Sequence, residues 1–256
     1  MAGRSHDRYE RLWHEYVYAE GQLYGTLRPG TMPKLFLFTG LGASVRLFER
    51  LRVPGVELSI VELTVPELGD DLPAYARRLG EAQGLTQDSL VGGCSFGGMI
   101  AAEIAMQCGA RVCIQIGSAL SPRQIPAHLK AAEWCSRLLP DFVFRHCPRD
   151  SRLLMRYFEP VGATEREILM DMILRADVTL VRRGAKMILR WRGVSKLSCP
   201  HFIVHGDADR QIRAPRVSDV PAEAVLQLIA GAGHVFTLTH AQAVSTFIGQ
   251  AVERVG

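Results

Sequence analysis

No apolar run in the chain approaches the ~18 residues that a membrane-spanning helix needs, so a bilayer span is not expected. The stretch Met1 to Glu10 lacks the apolar core of a signal peptide, and the expected address is cytoplasmic. Cysteine is scattered: the six (94, 108, 113, 135, 147, 199) include no C-x-x-C pair. In a chain of this length they read as reduced, mostly buried thiols, and no ligand cluster marks a metal site. Neither a metal nor a cofactor is expected. Excess charge is also missing. Thirty Lys and Arg against 26 Asp and Glu leave +4, too little to argue for nucleic acid, and no aromatic-basic interleaving of an RNA-binding kind occurs.

What is present is an ordinary globular composition, 48% hydrophobic and 22% charged over 256 residues. That length can bury a sizeable core and suits one α/β domain with an insertion. The most informative stretch runs from Ser89 to Ala105, S-L-V-G-G-C-S-F-G-G-M-I-A-A-E-I-A. Ser89 to Gly92 reads as a buried strand and Met99 to Met106 as a helix, with Gly109 as its stop. Between them Gly93-Cys94-Ser95-Phe96-Gly97 fits G-x-S-x-G, a serine in a tight strand-to-helix turn. Side chains at the two flanking positions would collide with the neighbouring strand and helix, so glycine is needed at both. The corner lifts the hydroxyl of Ser95 clear of the sheet and aims the Phe96 amide, at a helix start, toward any oxyanion formed beside it.

In chain order, Asp7 to Glu20 is predicted as a helix with Tyr9, Leu12, Trp13 and Tyr16 on one face, and Leu23 to Leu27 as a short edge strand. Strands are predicted at 34–39, 56–63, 111–117, 201–205 and 224–229. Helices are predicted at 72–84 and 239–252. This alternation argues for right-handed β-α-β crossovers and a mainly parallel sheet, whose sites form beyond the carboxyl ends of the strands. Gly40-Leu41-Gly42-Ala43-Ser44, after the 34–39 strand, offers a backbone amide that can come close to such a site.

From about Pro122 to Ser195 the rhythm changes to helices at 126–139, 150–158, 164–176 and 178–191, with hardly a strand signal. The expected organisation is therefore a core of residues 1–121 and 196–256 with a helical lid at 122–195. Residues 122–196 hold 15 Lys and Arg against 8 Asp and Glu, about +7, which leaves the remainder about −3. Such a charge is either a solvated face or an attraction for an anionic substrate or acyl carrier. Aromatic and Met side chains in the segment supply core packing and walls for an apolar group.

A serine hydroxyl needs a base to become a nucleophile, and an imidazole needs a carboxylate to fix its tautomer. Ser95, Asp209 in His205-Gly206-Asp207-Ala208-Asp209, and His234 in Gly231-Ala232-Gly233-His234 each sit just past a predicted strand, in the chain order Ser, Asp, His. On these motifs the chain resembles the α/β-hydrolase fold superfamily along nearly its whole length outside the lid. The resemblance implies an about eight-stranded, mostly parallel sheet with the lid after the sixth strand. It also implies Ser95 as nucleophile, Asp209 as triad acid, His234 as general base and the amides of Leu41 and Phe96 as oxyanion hole. Asp207 is then a turn residue and His240 a helix-start residue. One departure stands out: relatives commonly carry His-Gly before the oxyanion loop, and here the pair is Thr39-Gly40. The implied reaction is hydrolysis of a carboxylic ester, or a thioester, of a small apolar acyl substrate. The same fold also serves cofactor-free lyases, acyltransferases, haloperoxidases and triad-bearing small-molecule receptors. Epoxide hydrolases and dehalogenases of this fold place aspartate at the elbow, where this chain has Ser95.

Overall fold

The computed structural model describes residues 32–127, 129–131, 161–194 and 196–255. The predicted helix 7–20, the edge strand 23–27, the helix 150–158 and most of the helix 126–139 lie outside the described residues.

Among the described residues six strands form one sheet: β1 (Lys34–Phe38), β2 (Glu57–Val61), β3 (Leu90–Cys94), β4 (Val112–Ile116), β5 (His201–Gly206) and β6 (Ala224–Ile229). They lie in the order β2-β1-β3-β4-β5-β6, and every neighbouring pair is parallel. The strand order reverses between β1 and β3, the sheet growing first on one side of β1 and then on the other, and in sheets of this kind the ligand crevice lies outside the carboxyl ends of the strands at that point. Strands β3 (LVGGC) and β4 (VCIQI) are buried at every position, as expected where both faces of a parallel sheet are covered.

Alternate residues feed two cores. Leu37, Leu90, Val112, Ile114 and Val204 pack on one side with Phe236, Phe247 and Ile248. Phe38, Val91 and Cys113 pack on the other with Tyr75, Leu79, Met99 and Ile100. The second face is covered by α1 (Leu72–Ala82) and α2 (Phe96–Cys108). Asp71 caps α1 by accepting from the Ala74 amide at 2.9 Å. Helix α2 is buried from Phe96 through Ala105 and stops at Gly109, φ +66, a left-handed C-cap suited to glycine.

Between β4 and β5 lie α3 (Ala163–Arg175) and α4 (Val178–Arg190), with no strand among the described residues of that stretch. Asp177 caps α4 through the Leu180 amide at 2.9 Å. Both helices sit on the segment after β1. Arg46 meets Asp171 at 3.2 Å and Arg50 meets Glu165 at 2.5 Å, tying α3 to that segment. The far end of α4 is anchored on α2, where the Trp191 indole N–H donates to the buried Glu103 at 2.6 Å.

Two boundaries differ from the sequence reading for local reasons. Helix α2 begins at Phe96, three residues before the first predicted helical position, because the turn at Ser95 is a single residue. The closing helix, α6 (Ala241–Glu253), starts two residues after the predicted Thr239, and a short helix, α5 (Phe236–Thr239), precedes it. His240, at φ −128 and ψ 37, stands between the two as the N-cap of α6, the helix-start position expected of it.

Candidate active site

Ser95 occupies the corner between β3 and α2 at φ 56 and ψ −118, and it is the non-glycine residue with positive φ among the described residues. A conformation of that kind costs on the order of 1–3 kcal/mol and persists because the neighbours leave no alternative. A Cβ on Gly93 would lie 2.3 Å from the carbonyl of Gly97, and one on Gly97 would lie 2.1 Å from Phe38 O. The two glycines of the motif thus allow α2 to pass directly over the ends of β1 and β3. The side chain of Ser95 makes no capping bond to its helix, which leaves Oγ for other partners.

The structure brings Ser95, His234 and Asp209 together. His234 Nδ1 is 2.8 Å from Asp209 Oδ2, and His234 Nε2 is 3.1 Å from Ser95 Oγ. A carboxylate only accepts, so the proton sits on Nδ1 and Nε2 is left to accept from the serine hydroxyl. Asp209 Oδ1 accepts from the amides of Gln211 at 2.8 Å and Ile212 at 3.0 Å. Burial alone would push the Asp209 pKa up; the charge and hydrogen bond of His234, the nearby His205 and the Ile212 amide outweigh it and hold it below the usual value. The carboxylate is therefore ionised across the neutral range.

Asp207 accepts instead from the Gly231 amide at 2.7 Å, joining the two loops that follow β5 and β6. His240 pairs with the neighbouring Thr239 hydroxyl at 2.9 Å, on the surface. The loop after β1 comes close to the serine: a Cβ on Gly40 would be 3.5 Å from Ser95 Cβ. Gly40 C=O accepts from the Ala43 amide at 3.1 Å, and Gly42 has φ +72. With Leu41 outside the positive-φ region, this is a type II turn. The amides of Leu41 and Phe96 find no acceptor among the described residues.

Sequence reading did not single out three buried polar side chains near the site. His205, fully buried in β5, donates from Nδ1 to Gly206 O at 3.0 Å and stands 3.9 Å from Asp209 Oδ2. Burial lowers its pKa, which favours the neutral ring. Gln115 in β4 accepts from His201 Nε2 at 2.8 Å and donates toward Gly98 O, Ser118 Oγ and Ala119 O. Their signal was there, a glutamine and histidines inside strands that are otherwise apolar, but strand patterning gives no indication of what they touch. Among the described residues no group of His, Cys, Asp or Glu is placed to hold a metal ion. Cys94, next to the serine, is a free and buried thiol whose pKa burial pushes up. No helix among the described residues is long and apolar enough to cross a membrane.

Comparison with known proteins agrees with this architecture. The profile of the alpha/beta hydrolase family matches residues 27–247. No curated protein matches the chain. Among solved structures, a thermophilic esterase from Thermogutta terrifontis superposes with a TM-score of 0.71 at 19% identity, covering 91% of this chain and 97% of that one. An esterase from Exiguobacterium antarcticum gives 0.70 at 15% identity, covering 86% and 92%. A provisional non-heme bromoperoxidase, BpoC, from Mycobacterium tuberculosis H37Rv gives 0.67 at 13% identity, covering 93% and 100%. At such identities the likeness speaks for the fold. With the profile spanning most of its length, the chain belongs to the alpha/beta hydrolase family.

Proposed function

We propose that this alpha/beta hydrolase is a serine hydrolase that cleaves a carboxylic ester or thioester of a small, largely apolar acyl group through an acyl-enzyme. One observation carries the reading: a single imidazole, His234, lies within hydrogen-bond reach of both Ser95 Oγ at 3.1 Å and Asp209 Oδ2 at 2.8 Å. The proton of Ser95 passes to His234 Nε2 as Oγ attacks the substrate carbonyl. Asp209, ionised and held by two amides as well as by His234, stabilises the imidazolium that results. The amides of Phe96 and Leu41 take the negative charge of the tetrahedral oxygen. His234 then gives its proton to the leaving alcohol or thiol, and a water attacks the acyl-enzyme by the same route. General base catalysis is worth ~10²–10⁴ in rate, and each oxyanion donor ~10²–10³.

Residues 122–195 act as a lid in this reading, with α3 and α4 seated beside the oxyanion loop. A Cβ on Gly42 would touch Ala176 and Val181 at 3.2 Å, and one on Gly184 would run into Leu41. An apolar substrate would enter between this layer and the Ser95 corner. The positive charge of the segment suits an anionic thioester carrier as well as a plain solvated face, and a comparison of acyl-CoAs with neutral esters of the same chain length separates the two.

The test is turnover of p-nitrophenyl esters of graded length by the wild type and Ser95→Ala, with wild-type sites titrated by a serine-reactive phosphonate and the fold of Ser95→Ala checked by circular dichroism. The wild type is expected to turn over many times per site and Ser95→Ala to lose on the order of 10⁶ in kcat. Loss of less than about tenfold would end the serine mechanism. Phosphonate labelling of the wild type without multiple turnover would favour a triad-bearing receptor.

A further inference from the structure

Behind the serine corner lies a group of buried polar side chains that the proposed chemistry does not use. Gln115 and Ser118 are fully buried and His201 is nearly so. Their hydrogen bonds can be assigned a direction. The Gln115 nitrogen faces Gly98 O at 3.1 Å, Ser118 Oγ at 3.2 Å and Ala119 O at 3.3 Å, all of which can accept. That fixes the amide orientation, so Gln115 Oε1 is the acceptor and His201 Nε2 the donor, at 2.8 Å. The Ser118 hydroxyl, with a lone pair turned to Gln115, puts its own hydrogen on Ser95 O at 2.7 Å. Each group donates to the next, His201 to Gln115, Gln115 to Ser118, Ser118 to Ser95 O. The last carbonyl belongs to the peptide whose other end is the Phe96 N–H.

Two physical consequences follow. A peptide unit is planar, so holding its oxygen aims its N–H. Ser95 O is held by three donors, the amides of Gly98 at 3.1 Å and Met99 at 3.3 Å and the Ser118 hydroxyl at 2.7 Å. The hydroxyl gives the shortest of the three and comes from outside the helix. Second, hydrogen bonds that run in one direction polarise one another, and a carbonyl that accepts makes its own N–H a better donor. Access for Ser118 is built into the sequence: a Cβ on Gly98 would lie 2.5 Å from Ser118 Cβ.

We infer that Ser118, backed by Gln115 and His201, is a positioning residue that aims and polarises the Phe96 amide toward the oxyanion. The inference rests on the serine hydrolase reading above and adds to it a residue from a different strand end. Helix α2 needs no such hydroxyl to form, because Gly98 N and Met99 N already engage Ser95 O.

The experiment compares wild type, Ser118→Ala and Gln115→Met, each normalised to phosphonate-titrated sites so that folded fraction drops out. Three quantities are read: kcat, KM and the inhibition constant of a trifluoromethyl ketone, whose adduct with the serine carries the oxyanion. Ser118→Ala should lower kcat by about tenfold, a fraction of the ~10²–10³ that a whole donor is worth. KM should stay within about twofold, and the trifluoromethyl ketone should bind about tenfold more weakly. Gln115→Met, which leaves the hydroxyl but removes its backing, should shift kcat and the inhibition constant in the same direction by a smaller factor, and it reads the same relay if Ser118→Ala does not fold. An unchanged kcat per titrated site, or a fall in kcat with unaltered trifluoromethyl ketone affinity, overturns the inference. Ser95→Ala is run alongside: if it retains turnover, the serine reading itself has failed, whereas an inactive Ser95→Ala beside a fully active Ser118→Ala removes the role of Ser118 alone.

Discussion

Replacing Leu41 by proline deletes one backbone N–H and almost nothing else, which makes it the sharpest probe of the proposed oxyanion hole. Leu41 stands at the second position of a type II turn, where Gly40 C=O accepts from Ala43 and Gly42 carries φ +72. Proline is favoured at that position because its fixed φ of about −65° matches the turn. The Leu41 amide has no acceptor among the described residues, so no structural hydrogen bond is lost. The remaining cost is the packing of a half-buried leucine against α4, near Gly184, on the order of 1–2 kcal/mol of stability. Leu41→Ala carries that same packing loss and keeps the amide. Loss of one oxyanion donor should lower kcat by ~10²–10³, so Leu41→Pro should fall by that factor below Leu41→Ala while their melting temperatures agree to within a few degrees. The assay is steady-state hydrolysis of a p-nitrophenyl ester at saturating substrate, with melting followed by circular dichroism. If Leu41→Pro and Leu41→Ala have kcat values within threefold of each other, the amide does not stabilise the transition state and the hole has been misassigned.

Asp209→Asn retains the shape of the carboxylate but can present an N–H to His234 and favour the wrong tautomer; kcat should fall by about 10⁴, and a fall of less than tenfold in steady-state assays would count against Asp209 as the orienting acid. His201 makes stability depend on acid. Burial holds its pKa at about 4 against roughly 6.5 in an unfolded chain, and its Nδ1 has no partner among the described residues with which to share a second proton. The unfolded chain therefore binds the proton first, so stability is full above about pH 6.5 and drops by about 3 kcal/mol as pH falls toward 4. Urea unfolding at a series of pH values should show that loss in the wild type and a correspondingly smaller one in His201→Gln; identical acid dependence in both would contradict it.

Much of this arrangement is legible in the residues because it depends on local chemistry. Gly93 and Gly97 announce a turn that no Cβ can enter, Gly109 ends α2 in the left-handed region, and the carboxylate and imidazole follow at the ends of later strands. The six described strands were each found within two residues of their ends, since short apolar runs between turn residues leave few alternatives. What escaped depends on tertiary contact. Gln115 sits in V-C-I-Q-I, where the apolar pattern marks a strand but says nothing of the hydroxyl, carbonyls and imidazole that satisfy its amide. His205 looks like any strand residue until the fold puts it 3.9 Å from Asp209. The short helix at Phe236–Thr239 also went unread, since four residues carry too little periodicity to mark a helix apart from the one that starts after His240.

The central claim is that the Ser95 oxygen takes the acyl group from the substrate. The direct measurement is rapid-quench mass spectrometry during turnover of a slowly deacylated p-nitrophenyl ester, with the modified peptide sequenced. The account predicts one acyl group per chain, carried on Ser95, forming with the first equivalent of p-nitrophenol and decaying at the rate of kcat. Release of product with no acyl group on Ser95, or with the acyl group on another residue, would contradict it.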